Sequence, residues 1–234
     1  MAVQEGCIAG PDHLPKEPFD IDLVFARLRE ACATLPRAAL FALRDQGYAS
    51  PFEILAGALI SVRTRDETTL PVSQALFTRA RSPAALQQIP EAALAALLKP
   101  ATFAEVKAHR LREISVILLE RYGGRVPSDL DALESLPGVG PKVAGLVLGI
   151  AFGIPAIAVD IHVHRVANRW GYITAKTPEQ SEAQLRAKLP RRYWVEINER
   201  LVPFGKFICT GQRPRCSSCP LLSQCLQVGV TAHR

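Results

Sequence analysis

Three features of the chain predict an all-α fold. Apolar residues return at three-and-four spacing, prolines stand at the heads of polar-capped segments, and no alternating run is long enough to build a sheet. From Ile21 onward, Ile21, Val24, Phe25, Leu28, Cys32 and Leu35 fall on one helical face, so Cys32 reads as a small buried hydrophobe. Further helix starts are expected at Ser82-Pro83, Ile89-Pro90 and Thr177-Pro178, the last with Gln180 as capping-box partner. A longer helix over 104–122 should stop at Gly123-Gly124, where a left-handed terminus costs little. Ala156 to Val159 is the best strand candidate and is too short for a sheet. Residues 1–20 read as a mobile tail without a secretory signal, because no basic start leads into an apolar stretch. The apolar run Val143 to Val159 is broken by three glycines and Pro155 and falls short of the roughly 20 residues a membrane span needs, so it predicts a buried helix with its exit loop and no membrane role.

The chain has 234 residues, 48% of them hydrophobic, enough for one or two globular domains with real cores. Its 28 Lys and Arg against 22 Asp and Glu leave +6, and no acidic residue follows Glu199. A basic balance favours an anionic partner, nucleic acid being the commonest. A cytoplasmic protein is expected, nucleoid-associated if the source is bacterial.

LPGVGPKVAG, Leu136 to Gly145, is the first motif with chemistry in it. Ser128 is placed to cap a short helix over 129–135; Pro137 and Gly138 end it, Val139 and Gly140 turn the chain, and Pro141 is preset to begin the next helix. This helix-hairpin-helix pattern, spanning 129–150, leaves the backbone of Gly138, Val139 and Gly140 open to a phosphate at a helix start. Taken alone, the same residues also suit an ordinary tight turn between packed helices.

In PAIAVDIHVHRVANRW, Asp160 precedes a helical face of Val163, Val166, Ala167 and Trp170. It is a good helix N-cap. It is also a candidate partner for Lys142, since a nucleophilic amine must lose its proton and a nearby carboxylate can take it or stabilise a developing cation. Near the C-terminus, Cys209, Cys216, Cys219 and Cys225 have six, two and five residues between them. Without a secretory signal, disulfides are a poor explanation. A four-thiolate zinc site and an iron-sulfur cluster both remain, the single C-x-x-C leaning towards the cluster.

With these motifs in order, the chain resembles the endonuclease III family of DNA glycosylases in the helix-hairpin-helix superfamily, from about Phe19 to Gly229. LPGVGPK resembles the family's LPGVGRK, AVDIH its AVDTH, the cysteine spacing its 4Fe-4S loop, and PFEILAGALISVRTRD its second-helix segment ending in LLSAQATD. The resemblance implies a bilobed fold: a six-helix domain over 44–154, and a 4Fe-4S cluster domain assembled from 21–43 and 155–234. It implies a monomer acting on double-stranded DNA that carries damaged bases or abasic sites. Lys142 and Asp160 would be catalytic, with the lysine attacking C1′, forming a Schiff base and allowing β-elimination. Arg63 and Phe103 would fill the gap left by the extruded base, Arg213 and Arg215 would face phosphate, and His162 would stand beside the catalytic aspartate, whereas His164 matches nothing in the family.

Departures from the family pattern bear on the substrate. Pro141 replaces an arginine, Ile161 a threonine beside Asp160, Arg63 a glutamine and Phe103 a leucine. Oxidised pyrimidines are the expected lesions. The competing readings are a glycosylase of shifted specificity and a DNA-binding protein that has kept hairpin and cluster without catalysis.

Overall fold

The computed structural model describes residues 16–234, and every regular element among them is helical. In chain order these are α1 (Ile21–Cys32), α2 (Ala39–Asp45), α3 (Pro51–Ser61), α4 (Asp66–Phe77), α5 (Pro83–Gln87) and α6 (Glu91–Leu98). They are followed by α7 (Ala104–Tyr122), α8 (Leu130–Glu134), α9 (Pro141–Phe152), α10 (Ile161–Trp170), α11 (Pro178–Lys188) and α12 (Glu196–Phe207). No helix is long and apolar enough to cross a membrane among the described residues.

Two hydrophobic cores organise these helices. The first gathers side chains from α2 to α9, and the second those of α1, α10, α11 and α12. At the centre of the first lie α3 and α9, which are buried on nearly every face and pack on each other. Each fully buried Leu or Ile of this pair contributes about 1.5–3 kcal/mol relative to exposure. Close approach demands small residues: a Cβ on Gly57 would stand 3.0 Å from Leu40 and Leu43, and one on Gly145 would stand 3.0 Å from the Ile157 carbonyl oxygen. A capping box closes the head of α3, with Ser50 Oγ accepting from the Glu53 amide and Glu53 Oε2 from the Ser50 amide.

The sequence-drawn boundary at 43/44 falls inside α2, whose Leu40, Phe41 and Leu43 belong to the first core. Three quarters of the expected tail, 1–15, lies outside the described residues. Residues 16–20 are docked: Phe19 stacks on Tyr172 at 5.0 Å, and the Glu17 amide donates to the Ser223 carbonyl at 2.8 Å. An aromatic ring has apolar area to bury, and the second core offers it a place.

Local signals are corrected in three places. Asp129, not Ser128, caps α8, its carboxylate accepting from the Ala132 amide at 2.9 Å. Pro90 is itself the N-cap of α6 and not a first-turn residue. At α11, Thr177 caps the Gln180 amide, but the Gln180 side chain accepts from Lys176, one residue upstream of the cap, so no closed box forms.

Candidate active site

Lys142 and Asp160 are delivered by two helix starts. Pro141 opens α9, so Lys142 stands in its first turn; Asp160 is the N-cap of α10. Packing of the connecting segment Ala156 to Val159 brings the two together, with Lys142 Nζ 3.9 Å from Asp160 Oδ2. That segment is pinned by the buried Asn198, whose Nδ2 donates to the Ala158 carbonyl at 3.2 Å.

The two oxygens of Asp160 do different jobs. Oδ1 accepts from the amides of His162 and Val163, both at 2.9 Å, which is the helix cap the sequence suggests. Oδ2 is the oxygen facing the lysine. One oxygen therefore caps the helix while the other stays free to face the lysine, and the cap orients the carboxylate. The Asp160 side chain is 11% exposed and that of Lys142 49%, so the amine reaches solvent while its partner is held in the wall.

Both residues line a cavity of about 930 Å³ walled by residues of both cores, among them Phe41, Arg63, Asp66, Leu146, His162 and Lys206. Lys206 ties the cores across this wall, donating to Asp66 Oδ2 at 3.1 Å and to Glu67 Oε1 at 2.7 Å. That contact holds the Glu67 carboxyl below its usual range. Asp66 and Glu67 escaped the sequence reading because acids at a helix start look like ordinary dipole partners. Ile161 stands at the rim, 67% exposed.

His162 lies in the same wall, and burial holds its imidazole below the usual value, Asp160 opposing and Arg165 reinforcing the shift. Arg165 Nη2 is 3.2 Å from His162 Nδ1. A guanidinium can only donate, so Nδ1 accepts and the neutral ring carries its proton on Nε2. A Cβ on Gly205 would stand 2.7 Å from that Nδ1, so glycine is needed where α12 passes the ring.

At the hairpin, Gly138 has φ 75°, and a Cβ there would meet the Arg110 side chain at 2.9 Å. Val139 departs from expectation: its side chain is buried, and its amide closes the turn onto the Leu136 carbonyl at 3.1 Å. Of these three hairpin residues, Gly138 and Gly140 keep amides without a partner among the described residues.

Arg63 and Phe103 stand together although 40 positions separate them, the guanidinium carbon 5.9 Å from the ring centroid. Both adopt left-handed backbone, φ 53° and 58°, and Phe103 is 54% exposed. Arg213 and Arg215 are exposed on the cysteine loop, without a carboxylate partner among the described residues.

The four C-terminal cysteines line one small cavity with Arg169, Trp170, Phe204 and Leu222, and none is in a disulfide. Burial pushes the Cys219 thiol up to about 12 and that of Cys225 up to about 11, neighbouring thiols adding to both. Arg169 Nη1 stands 3.4 Å from Cys209 Sγ, and the Gln227 amide donates to Cys225 Sγ at 3.4 Å. Among the described residues no three Cys, His, Asp or Glu side chains form a group able to hold a metal ion.

Residues 56–191 match the HhH-GPD superfamily of base excision DNA repair proteins. Endonuclease III of Thermotoga maritima is 44% identical over 182 residues, which is 78% of this chain and 85% of that protein. Endonuclease III of Escherichia coli is 36% identical over 181 residues, 77% of this chain and 86% of that protein. Among solved structures, an endonuclease III in a non-covalent complex with DNA superposes with a TM-score of 0.77 at 31% identity, covering 88% of this chain and 94% of that one. A thermostable thymine-DNA glycosylase, 23% identical with a TM-score of 0.73 over 87% of this chain and 94% of that one, shares the fold. The chain belongs to the HhH-GPD superfamily of base excision DNA repair proteins, in its endonuclease III family, and is a DNA glycosylase and abasic-site lyase.

Proposed function

We propose that this enzyme removes oxidised pyrimidines of the thymine glycol type from duplex DNA and cuts the strand at the resulting site, acting as a monomer. The observation that carries the reading is the 3.9 Å pairing of Lys142 with Asp160 in the wall of a cavity large enough for a nucleotide. The damaged base must leave the stack at a cost of a few kcal/mol, less where pairing is already weak. Lys142 Nζ then attacks C1′ and the bond to the base breaks, the base leaving with the electron pair. Loss of the amine proton and opening of the sugar give a Schiff base, and removal of a proton from C2′ expels the 3′ phosphate by β-elimination. Asp160 Oδ2 stands where it can accept the amine proton and stabilise positive charge at C1′, while Oδ1 keeps the carboxylate aimed. The partnerless amides of Gly138 and Gly140 are suited to a backbone phosphate.

Cys209, Cys216, Cys219 and Cys225 are suited to a 4Fe-4S cluster. Four sulfurs around a shared, largely apolar cavity, with N–H groups directed at two of them, are a chemical fit to cluster ligation. When bound, the cluster supplies four metal–thiolate links that knit the C-terminal loop together. Zinc without iron or acid-labile sulfide in the purified protein would remove this assignment.

Borohydride trapping on duplexes carrying either thymine glycol or an abasic site tests the function. An adduct with both is expected. Trapping on the abasic site alone would keep the lyase and exclude that lesion, and no adduct with either would leave Lys142 as a phosphate contact at most.

A further inference from the structure

Lys107 sits on the inner face of α7, 6% exposed, among Ala104, Ala108, Leu111 and Ile114. An ammonium costs several kcal/mol to bury unless its donors are filled. No carboxylate meets it; the nearby cavity of about 380 Å³ adds only the cations Arg63 and Arg110. Instead Lys107 Nζ donates to the Ile60 carbonyl at 2.6 Å, the Val62 carbonyl at 2.8 Å and Thr64 Oγ1 at 2.7 Å. The acceptors belong to the end of α3 and the turn after it, where helix carbonyls lack partners and the dipole is negative.

The acceptors straddle Arg63. Held on both sides, that residue takes a left-handed conformation that costs a non-glycine residue of order 1–3 kcal/mol. Thr64 Oγ1 also accepts from the Thr102 amide at 3.2 Å, which ties this turn to the loop carrying Phe103. The main-chain amide of Lys107 in turn donates to the Phe103 carbonyl at 3.0 Å. One residue therefore holds both left-handed corners, through its side chain on one side and its backbone on the other. Strained residues persist only where their surroundings over-determine them, and they cluster at working sites.

We propose that Lys107 is a positioning residue for base extrusion, clamping the Arg63 turn to the Phe103 loop so that guanidinium and ring enter the duplex as one preset wedge. This rests on the proposed glycosylase function and on the gap-filling role that the family resemblance implies for Arg63 and Phe103. A purely structural lysine would affect stability and every substrate alike. A wedge clamp acts before chemistry, so it matters for a stacked damaged base and much less for an abasic site, where no base has to leave.

The test compares Lys107→Met with wild type in two single-turnover assays, release of thymine glycol and borohydride trapping on an abasic duplex. Base release should slow about tenfold or more, the rate equivalent of losing one such backbone preference, with trapping changed less than about threefold. A 2-aminopurine placed beside the lesion should also lose most of its brightening on binding. Thr64→Val, which removes only the shared hydroxyl, should shift the two assays in the same sense and serves if Lys107→Met does not fold. Equal losses in both assays, or none in either, with folded Thr64→Val and a trapping-competent wild type, would overturn the clamp alone. Wild type that traps neither substrate would overturn the functional reading and the clamp with it.

Discussion

Lys142 and Lys107 line two different cavities that share Arg63 in their walls, and their surroundings are opposite. Lys142 has a carboxylate 3.9 Å away, solvent at its side and, among the described residues, no hydrogen bond occupying its amine. Lys107 has no carboxylate, little solvent, and three acceptors that take up all its donors. What a lysine can do is therefore set by what fills its three donors. An amine bound to carbonyls is a clamp; an amine beside a carboxylate and an open cavity is available to react.

The largest effect expected is at the open lysine. Lys142→Ala should abolish the trapped adduct while DNA affinity stays within a few fold, since one cation among several phosphate contacts is lost. Affinity lost together with cleavage, measured by a gel-shift titration, would mean that the residue binds instead of reacting. Next comes its partner. Asp160→Asn keeps an acceptor for the helix amides but no base, so base release should fall by about 10²–10⁴ with melting nearly unchanged. Asp160→Ala should add a stability loss of about 1 kcal/mol, because the cap goes too. Similar melting for the two variants would show that Oδ1 contributes little to α10.

A smaller effect separates the two lysines from the arginines of the cysteine loop. If Arg213 and Arg215 face phosphate, replacing either with Ala should lower the slope of log affinity against log salt by about one while leaving the trapping rate at saturating DNA alone. An unchanged slope would place both in solvent.

The most diagnostic effect is the pH response of the buried lysine. Burial lowers Lys107 to about 8 from the ordinary 10.5. Between those values the unfolded chain holds a proton that the folded chain has released, so stability from this group rises as pH climbs from about 8 towards 10.5. Wild type should therefore gain on Lys107→Met over that window, by at most about 1.4 kcal/mol per pH unit. Urea unfolding at both ends of the window measures it, and parallel pH profiles for the two proteins would show that the ammonium is not penalised by burial.

Much of this site is legible in the chain because its signals are local. A proline after a glycine turn announces the start of α9, an aspartate before an apolar helical face announces the cap of α10, and the cysteine spacing survives without any fold at all. What escaped are residues whose meaning comes from a distant partner. Lys107 left one faint trace, a cation on the apolar face made by Ala104, Ala108, Leu111 and Ile114, yet nothing local names Ile60, Val62 and Thr64 as its acceptors. Asp66 and Lys206 meet across 140 positions, and Phe19 finds Tyr172 across a similar distance.

From the chain alone came the helical class, most helix starts and stops, and the hairpin, and it singled out the lysine, the aspartate and the four cysteines as candidates, because caps, turns and ligand spacing act over a few residues. Tertiary packing alone sets how Asp160 divides its oxygens between a helix and a lysine, that the Val139 side chain is buried with its amide on the Leu136 carbonyl, and that two left-handed corners meet one buried cation. Those outcomes depend on how α3, α7, α9 and α10 pack, and close packing is a property of many side chains at once.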